Sequence, residues 1–123
     1  MSSGNTIVYY SMTGNTKAFA ERFKAEGYEV VSVEHAEPSE PFTLFTPTYN
    51  FGEVPQPVRE FLDKYEGLLT GVVAFGNRNW GAKFAQAGDL IAEVCEVPLL
   101  RKVEMRGTDE DYEYVKERIN WQK

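Results

Sequence analysis

The sequence predicts a doubly wound α/β fold, a parallel sheet with helices on both faces. Short apolar runs alternate with segments of helical period through most of the 123 residues, the pattern that chains βαβ units together. Several of the runs are apolar at successive rather than alternate positions, as strands covered on both faces are. The connections are short, and the first, SMTGNT at residues 11–16, is a polar strand-to-helix turn. The chain is expected to be one domain over 1–123, a common size for a single core.

In order along the chain, the first strand is expected over residues 5–10 (NTIVYY). A helix over 16–26 follows, with Phe19, Ala20 and Phe23 on one side. The second strand is 28–33 (YEVVSV) and the third 42–46 (FTLFT). Between them Glu34 to Pro41 is too short and too rich in proline for a normal helix, so one crossover is expected to be a loop. Residues 55–65 place Val58, Phe61, Leu62 and Tyr65 at i, i+3, i+4 and i+7, with Pro55 and Pro57 suited to a first turn. The fourth strand is 69–76 (LTGVVAFG), and a helix over 82–95 then aligns Phe84, Ala87, Gly88, Ile91 and Cys95. The last strand is 98–105 (PLLRKVEM), and the last helix, 109–120, opens with the cap Thr108 and the acids Asp109, Glu110 and Asp111.

Composition excludes several classes of function. A net charge of −6 without any Lys/Arg block argues against nucleic acid. No apolar run is long enough to span a membrane, and Met1 to Asn5 lacks the regions of a signal peptide. The single cysteine, Cys95, allows no internal disulfide and suits a reducing cytoplasm. Cys95 reads as packing, His35 as a surface residue and the acids 109–111 as a helix start. Motifs for metal, nucleophile or dithiol chemistry (HExxH, GxSxG, CxxC) do not occur. Neither catalytic nor metal-ligating residues are therefore assigned.

In an open parallel sheet, ligands sit beyond the carboxyl ends of the strands, where the strand order reverses. The loops to inspect are 11–16, 47–54 and 77–81. In the first, Gly14 permits a sharp turn at a helix N-terminus, where unpaired N–H groups attract an anion. Ser11, Thr13, Asn15 and Thr16 add hydroxyl and amide donors. A P-loop needs a Lys and a Mg-binding hydroxyl in register, and a dinucleotide site needs GxGxxG. Neither is present, so a terminal phosphate held without a metal fits better, with a polar N-capped turn as the alternative. The second loop, TPTYNFGEVP at 46–55, carries Tyr49 and Phe51 beside Gly52; the third, GNRNWG at 76–81, carries Trp80 among Asn77, Arg78 and Asn79. Aromatic faces flanked by hydrogen-bonding groups suit a flat heteroaromatic ring.

The order S-x-T-G-N-T, T-Y-N-F-G-E-V-P, G-N-R-N-W-G resembles the NrdI family of flavodoxin-like FMN proteins that serve class Ib ribonucleotide reductases. The similarity runs over nearly the whole chain, including the turn at Glu96-Val97-Pro98. It implies a flavodoxin-like five-stranded sheet of order 2-1-3-4-5. It also implies that Ser11, Met12, Thr13, Gly14, Asn15 and Thr16 hold the FMN phosphate. Thr48, Tyr49, Asn50, Phe51 and Gly52, with Asn77, Arg78, Asn79, Trp80 and Gly81, would then enclose the isoalloxazine. The family's role is that of an oxidant supply: reduced FMN reacts with O2, and superoxide or a related species passes to the dimanganese small subunit of the reductase, where a tyrosyl radical forms. A flavodoxin-type reductant is implied as the second partner. The protein would be an accessory redox activator rather than a stand-alone enzyme, since the cofactor carries the chemistry. Under this reading Arg78 is expected to ease full reduction of the flavin, and Gly52 to permit a peptide flip beside Glu53. The alternatives are a general electron-transfer flavodoxin and a non-redox module binding another phosphorylated ligand.

Overall fold

The computed structural model describes residues 6–48, 53–77, 81 and 85–121. In chain order the elements are β1 (Thr6–Tyr9), α1 (Asn15–Lys24), β2 (Glu29–Ser32), β3 (Phe42–Pro47), α2 (Gln56–Tyr65), a 3-10 turn (Glu66–Leu68), β4 (Leu69–Gly76), α3 (Gln86–Cys95), β5 (Leu99–Glu104) and α4 (Asp109–Trp121). The five strands form one parallel sheet in the order β2-β1-β3-β4-β5, as the sequence leads one to expect. The connection from β2 to β3 carries no helix.

Successive strand residues point to opposite faces, and here both faces are buried. Ile7, Phe45, Val73 and Val103 pack with α1 and α4 on one side. Val8, Leu44 and Val72 pack with α2 and α3 on the other. That double burial is the reason the strands read as continuous apolar runs. Phe19 is the hub of the first layer: it is fully buried, and its ring centroid lies 5.7 Å from Phe23, 5.8 Å from Phe45, 5.3 Å from Phe75 and 6.3 Å from Tyr112. Gly107, at φ +79°, closes the turn after β5 beneath that ring; a Cβ there would lie 2.8 Å from Phe19 Cδ1 and 2.8 Å from Val103 Cγ1. On the opposite face α3 lies close against the sheet through Gly88, where a Cβ would meet Ala74 Cβ at 2.6 Å and Leu99 Cδ1 at 2.7 Å.

Helix boundaries follow local chemistry. α1 ends at Lys24, earlier than the expected 26, because Gly27 at φ +96° turns the chain into β2 and Tyr28 N–H returns to the Phe23 carbonyl at 3.3 Å. α3 starts at Gln86 rather than 82: Ala85 adopts φ 52°, which is not helical, and residues 82–84 lie outside the described residues. Tyr112 ties α4 to the end of α1: its phenol lies 3.3 Å from the Arg22 carbonyl and donates to Glu26 Oε2, just past the helix, at 2.6 Å. Burial first, and then the Glu26 carboxylate, push that phenol well above its ordinary pKa.

At the start of α4, Thr108 and Asp111 cap one another: Asp111 N–H donates to Thr108 Oγ1 at 3.1 Å, and Thr108 N–H donates to Asp111 Oδ2 at 2.9 Å. Arg101 Nε donates to the same carboxylate at 2.6 Å. Partial burial raises the Asp111 pKa, but the bonds from Arg101 and Thr108 together outweigh it and hold the group below its ordinary value. A depressed carboxyl stabilises the fold fully above its unfolded-state pKa and loses that contribution as pH falls through the folded-state pKa. Asp111→Asn is therefore expected to destabilise by about 1 kcal/mol at neutral pH. Urea unfolding of both proteins across the acid range checks this: the difference should shrink below roughly pH 4, the ordinary carboxyl range.

Candidate functional site

β1, β3 and β4 are adjacent and parallel, so the loops after Tyr9, Pro47 and Gly76 leave the same edge of the sheet. The chain passes from β1 outward to β2 and then returns across to β3, which makes the carboxyl ends of β1 and β3 the point where strand order reverses. All three loops singled out from sequence therefore begin on one rim.

The first loop is the best defined. Gly14 is the N-cap of α1 at φ 94°, ψ −12°, a conformation that L side chains rarely adopt. Among the described residues, a Cβ at Gly14 would meet no atom within 4 Å. Ser11 Oγ accepts the N–H of Gly14 at 3.0 Å and that of Lys17 at 3.3 Å. One hydroxyl oxygen thus holds the turn closed at the positive end of α1, where the helix dipole would favour an anion. Asn15 begins the helix and is half-buried; Met12 and Thr13 stand out into solvent; Thr16 is 2% exposed and belongs to the buried side of α1. No charged side chain lies within 11–16.

In the second loop Thr48 joins three elements. Its N–H donates to the Phe75 carbonyl at 3.0 Å, and its Oγ1 accepts the Ala87 N–H at 3.4 Å. The hydroxyl therefore links the end of β3 to the first turn of α3. In the third loop Asn77 is half-buried directly after β4, where the Gly76 carbonyl accepts the Met105 N–H at 2.9 Å. Gly81 is exposed at φ +58°. Tyr49, Asn50, Phe51, Gly52, Arg78, Asn79 and Trp80 lie outside the described residues, and the expectations for Arg78 and Gly52 lie there with them. The contributions that sequence reading missed are main-chain ones, the Lys17 and Ala87 amides, and no side-chain pattern announces them.

Neither residue set aside from the site joins it. His35 is exposed on the β2–β3 connection. Cys95 is half-buried on α3, and burial first, then Glu66, raises its thiol pKa, so it stays protonated and unreactive. Among the described residues no three His, Cys, Asp or Glu side chains gather as a metal site, and no helix is long and apolar enough to cross a membrane.

A parallel sheet of order 2-1-3-4-5, with an anion-ready helix start and two further loops on its carboxyl rim, defines a flavodoxin-like protein. Comparison with known structures agrees. The flavodoxin of Streptococcus pneumonia TIGR4 is 25% identical, with a TM-score of 0.70 over 94% of each chain. The Fusobacterium nucleatum flavodoxin solved bound to flavin mononucleotide is 16% identical, with a TM-score of 0.59 over 94% of each chain. The family model described as "NrdI Flavodoxin like" matches residues 7–117. Protein NrdI of Macrococcus caseolyticus (strain JCSC5402) is 48% identical over 106 residues, 85% of this chain and 81% of the relative. The chain belongs to the NrdI flavodoxin-like family.

Proposed function

We propose that the protein binds FMN at the carboxyl rim and acts as a redox partner of a class Ib ribonucleotide reductase in the cytoplasm. The observation that carries this reading is the left-handed Gly14 turn, held by Ser11, that opens the N-terminus of α1 on the carboxyl rim. The donor set is hydroxyls, amides and a helix N-terminus without a cation, which fits a terminal phosphate monoester held without a metal. Ser11, Thr13, Gly14 and Asn15 hold the phosphate, with Met12 at the outer edge and Thr16 fixing the first turn from its buried side. Thr48 links the end of β3 to α3, and on the family resemblance Tyr49, Asn50, Phe51 and Gly52, with Asn77, Arg78, Asn79, Trp80 and Gly81, would enclose the ring system. When bound there, FMN would supply one-electron chemistry with O2, the source of the superoxide or related oxidant that the dimanganese small subunit would use to form its tyrosyl radical. A flavodoxin-type reductant supplies the electrons. The protein's own share is to bind, orient and shield the cofactor.

A general electron-transfer flavodoxin is the second reading, favoured by the likeness in fold and sequence to the Streptococcus pneumonia protein. Oxygen consumption and superoxide trapping with the reduced protein separate the two. So does radical yield when manganese, O2 and the small subunit are added; a protein that reduces acceptors but gives no radical is the shuttle.

The cofactor site has its own test. Gly14→Val forces a branched side chain into the left-handed region, at a strain of about 1–3 kcal/mol. FMN affinity, read by quenching of flavin fluorescence, is expected to fall by roughly 10- to 100-fold while circular dichroism stays native. Equal affinities for the variant and the parent would remove the phosphate from this loop.

A further inference from the structure

A groove between the β2–β3 connection and α2 has no part in the cofactor reading. In a doubly wound sheet each crossover normally lays a helix on one face, but residues 33–41 carry none. A groove of about 920 Å³ lies between that connection and α2. Val33, Ala36, Phe61 and Tyr65 form an apolar floor. Two acids stand on each side: Glu34 and Glu37 on the connection, Glu60 and Asp63 on α2, all four exposed. Lys64 is the one Lys or Arg in the lining. A second hollow of about 400 Å³ shares His35, Ala36 and Glu37 with the groove and adds Glu29 and Glu40.

Charge here is segregated. From Ala25 to Val58 there is no Lys or Arg, while Glu26, Glu29, Glu34, Glu37, Glu40 and Glu53 all fall within that stretch. Among the described residues, none of the four rim acids takes part in an ion pair; Glu60 accepts only the Gln56 amide at 2.9 Å. Elsewhere four cations have acidic partners: Arg22 pairs with Asp109, Arg101 with Asp111, Lys102 with Asp89 and Lys116 with Glu26.

We propose that this groove docks a Lys/Arg-rich amphipathic helix of a partner protein. An apolar floor between two acidic rims is the complement of a helix whose apolar stripe is flanked by cations. A second copy of this chain is a poor occupant, since each copy carries a net charge of −6. Acidic rims repel nucleic acid and anionic membranes. Val33 follows the carboxyl end of β2 and Pro57 lies in the first turn of α2, so a docked helix rests beside the rim that carries the candidate cofactor loops.

The probe is a Leu/Lys amphipathic peptide of roughly 18 residues, long enough to be helical when bound, titrated into the full-length FMN-loaded protein. Amide shifts are expected to move over 33–37 and 57–65, with affinity falling as salt rises. A variant carrying Glu34→Gln, Glu37→Gln, Glu60→Gln and Asp63→Asn should bind about tenfold more weakly or worse, whereas Glu110→Gln, Glu113→Gln and Glu117→Gln on α4 together should leave binding unchanged. A lysine peptide of equal charge without the leucine stripe should also lose about tenfold. The proposal is overturned if the shifts lie elsewhere, if both sets of substitutions weaken binding equally, if the two peptides bind alike, or if sedimentation shows the groove occupied by a second copy. The shift map of the unsubstituted protein decides the matter even where the fourfold variant fails to fold.

Discussion

Phe19→Ala should lower the unfolding free energy by about 3–5 kcal/mol, a shift of about 10–20 °C in Tm for a chain of this size. The residue is fully buried, and four other aromatic rings lie about it, from α1, β3, β4 and α4. Those rings are themselves wedged between the sheet and the helices, so they cannot collapse into the vacated space, and the cost of a cavity adds to the lost transfer energy. Thermal and urea unfolding of the purified variant check the figure. A loss below about 1 kcal/mol, the scale of an ordinary point substitution, would mean that the ring is not the hub the packing makes it.

Gly107→Ala is expected to cost almost as much, from the opposite error. At φ +79° an alanine is strained by about 1–2 kcal/mol, and its methyl would stand 2.8 Å from both Phe19 and Val103, adding an overpacking penalty of about 1–3 kcal/mol. The two substitutions share a contact, so they should not add. In the Phe19→Ala background much of the steric part of the Gly107→Ala cost vanishes, because the ring is gone, while the backbone part remains. A double-mutant cycle by urea unfolding should therefore show a favourable coupling of about 1–2 kcal/mol. Strict additivity would place the whole cost of Gly107→Ala in its dihedral angles.

The parallel sheet was legible because burial on both faces writes itself into composition: Ile7, Val8, Leu44, Phe45, Val72 and Val73 need no partner to announce that each strand has two covered sides. The helixless crossover was legible too, since Pro38 and Pro41 leave too little chain for a helix. Helix ends were harder. The start of α3 depends on Ala85 holding a left-handed conformation that alanine disfavours, and no local preference signals that. At the candidate site, Ser11 and Gly14 were visible as residue types suited to an anion. Their arrangement was not, because Ser11 Oγ is placed by the amides of Gly14 and Lys17, and Thr48 Oγ1 by the amide of Ala87. Main-chain donors carry no letter of their own.

Ala85 has a wider meaning for the rim. It is fully buried at φ 52° between the third loop and α3, an arrangement that an isolated peptide would abandon for a relaxed one. What keeps it there lies underneath, in the seating of α3 on Ala74 and Leu99 at Gly88. The start of α3, beside the candidate site, therefore depends on the layer below. Variants that merely lift α3 off β4 would unmake the mouth of the site without touching any group that meets a ligand.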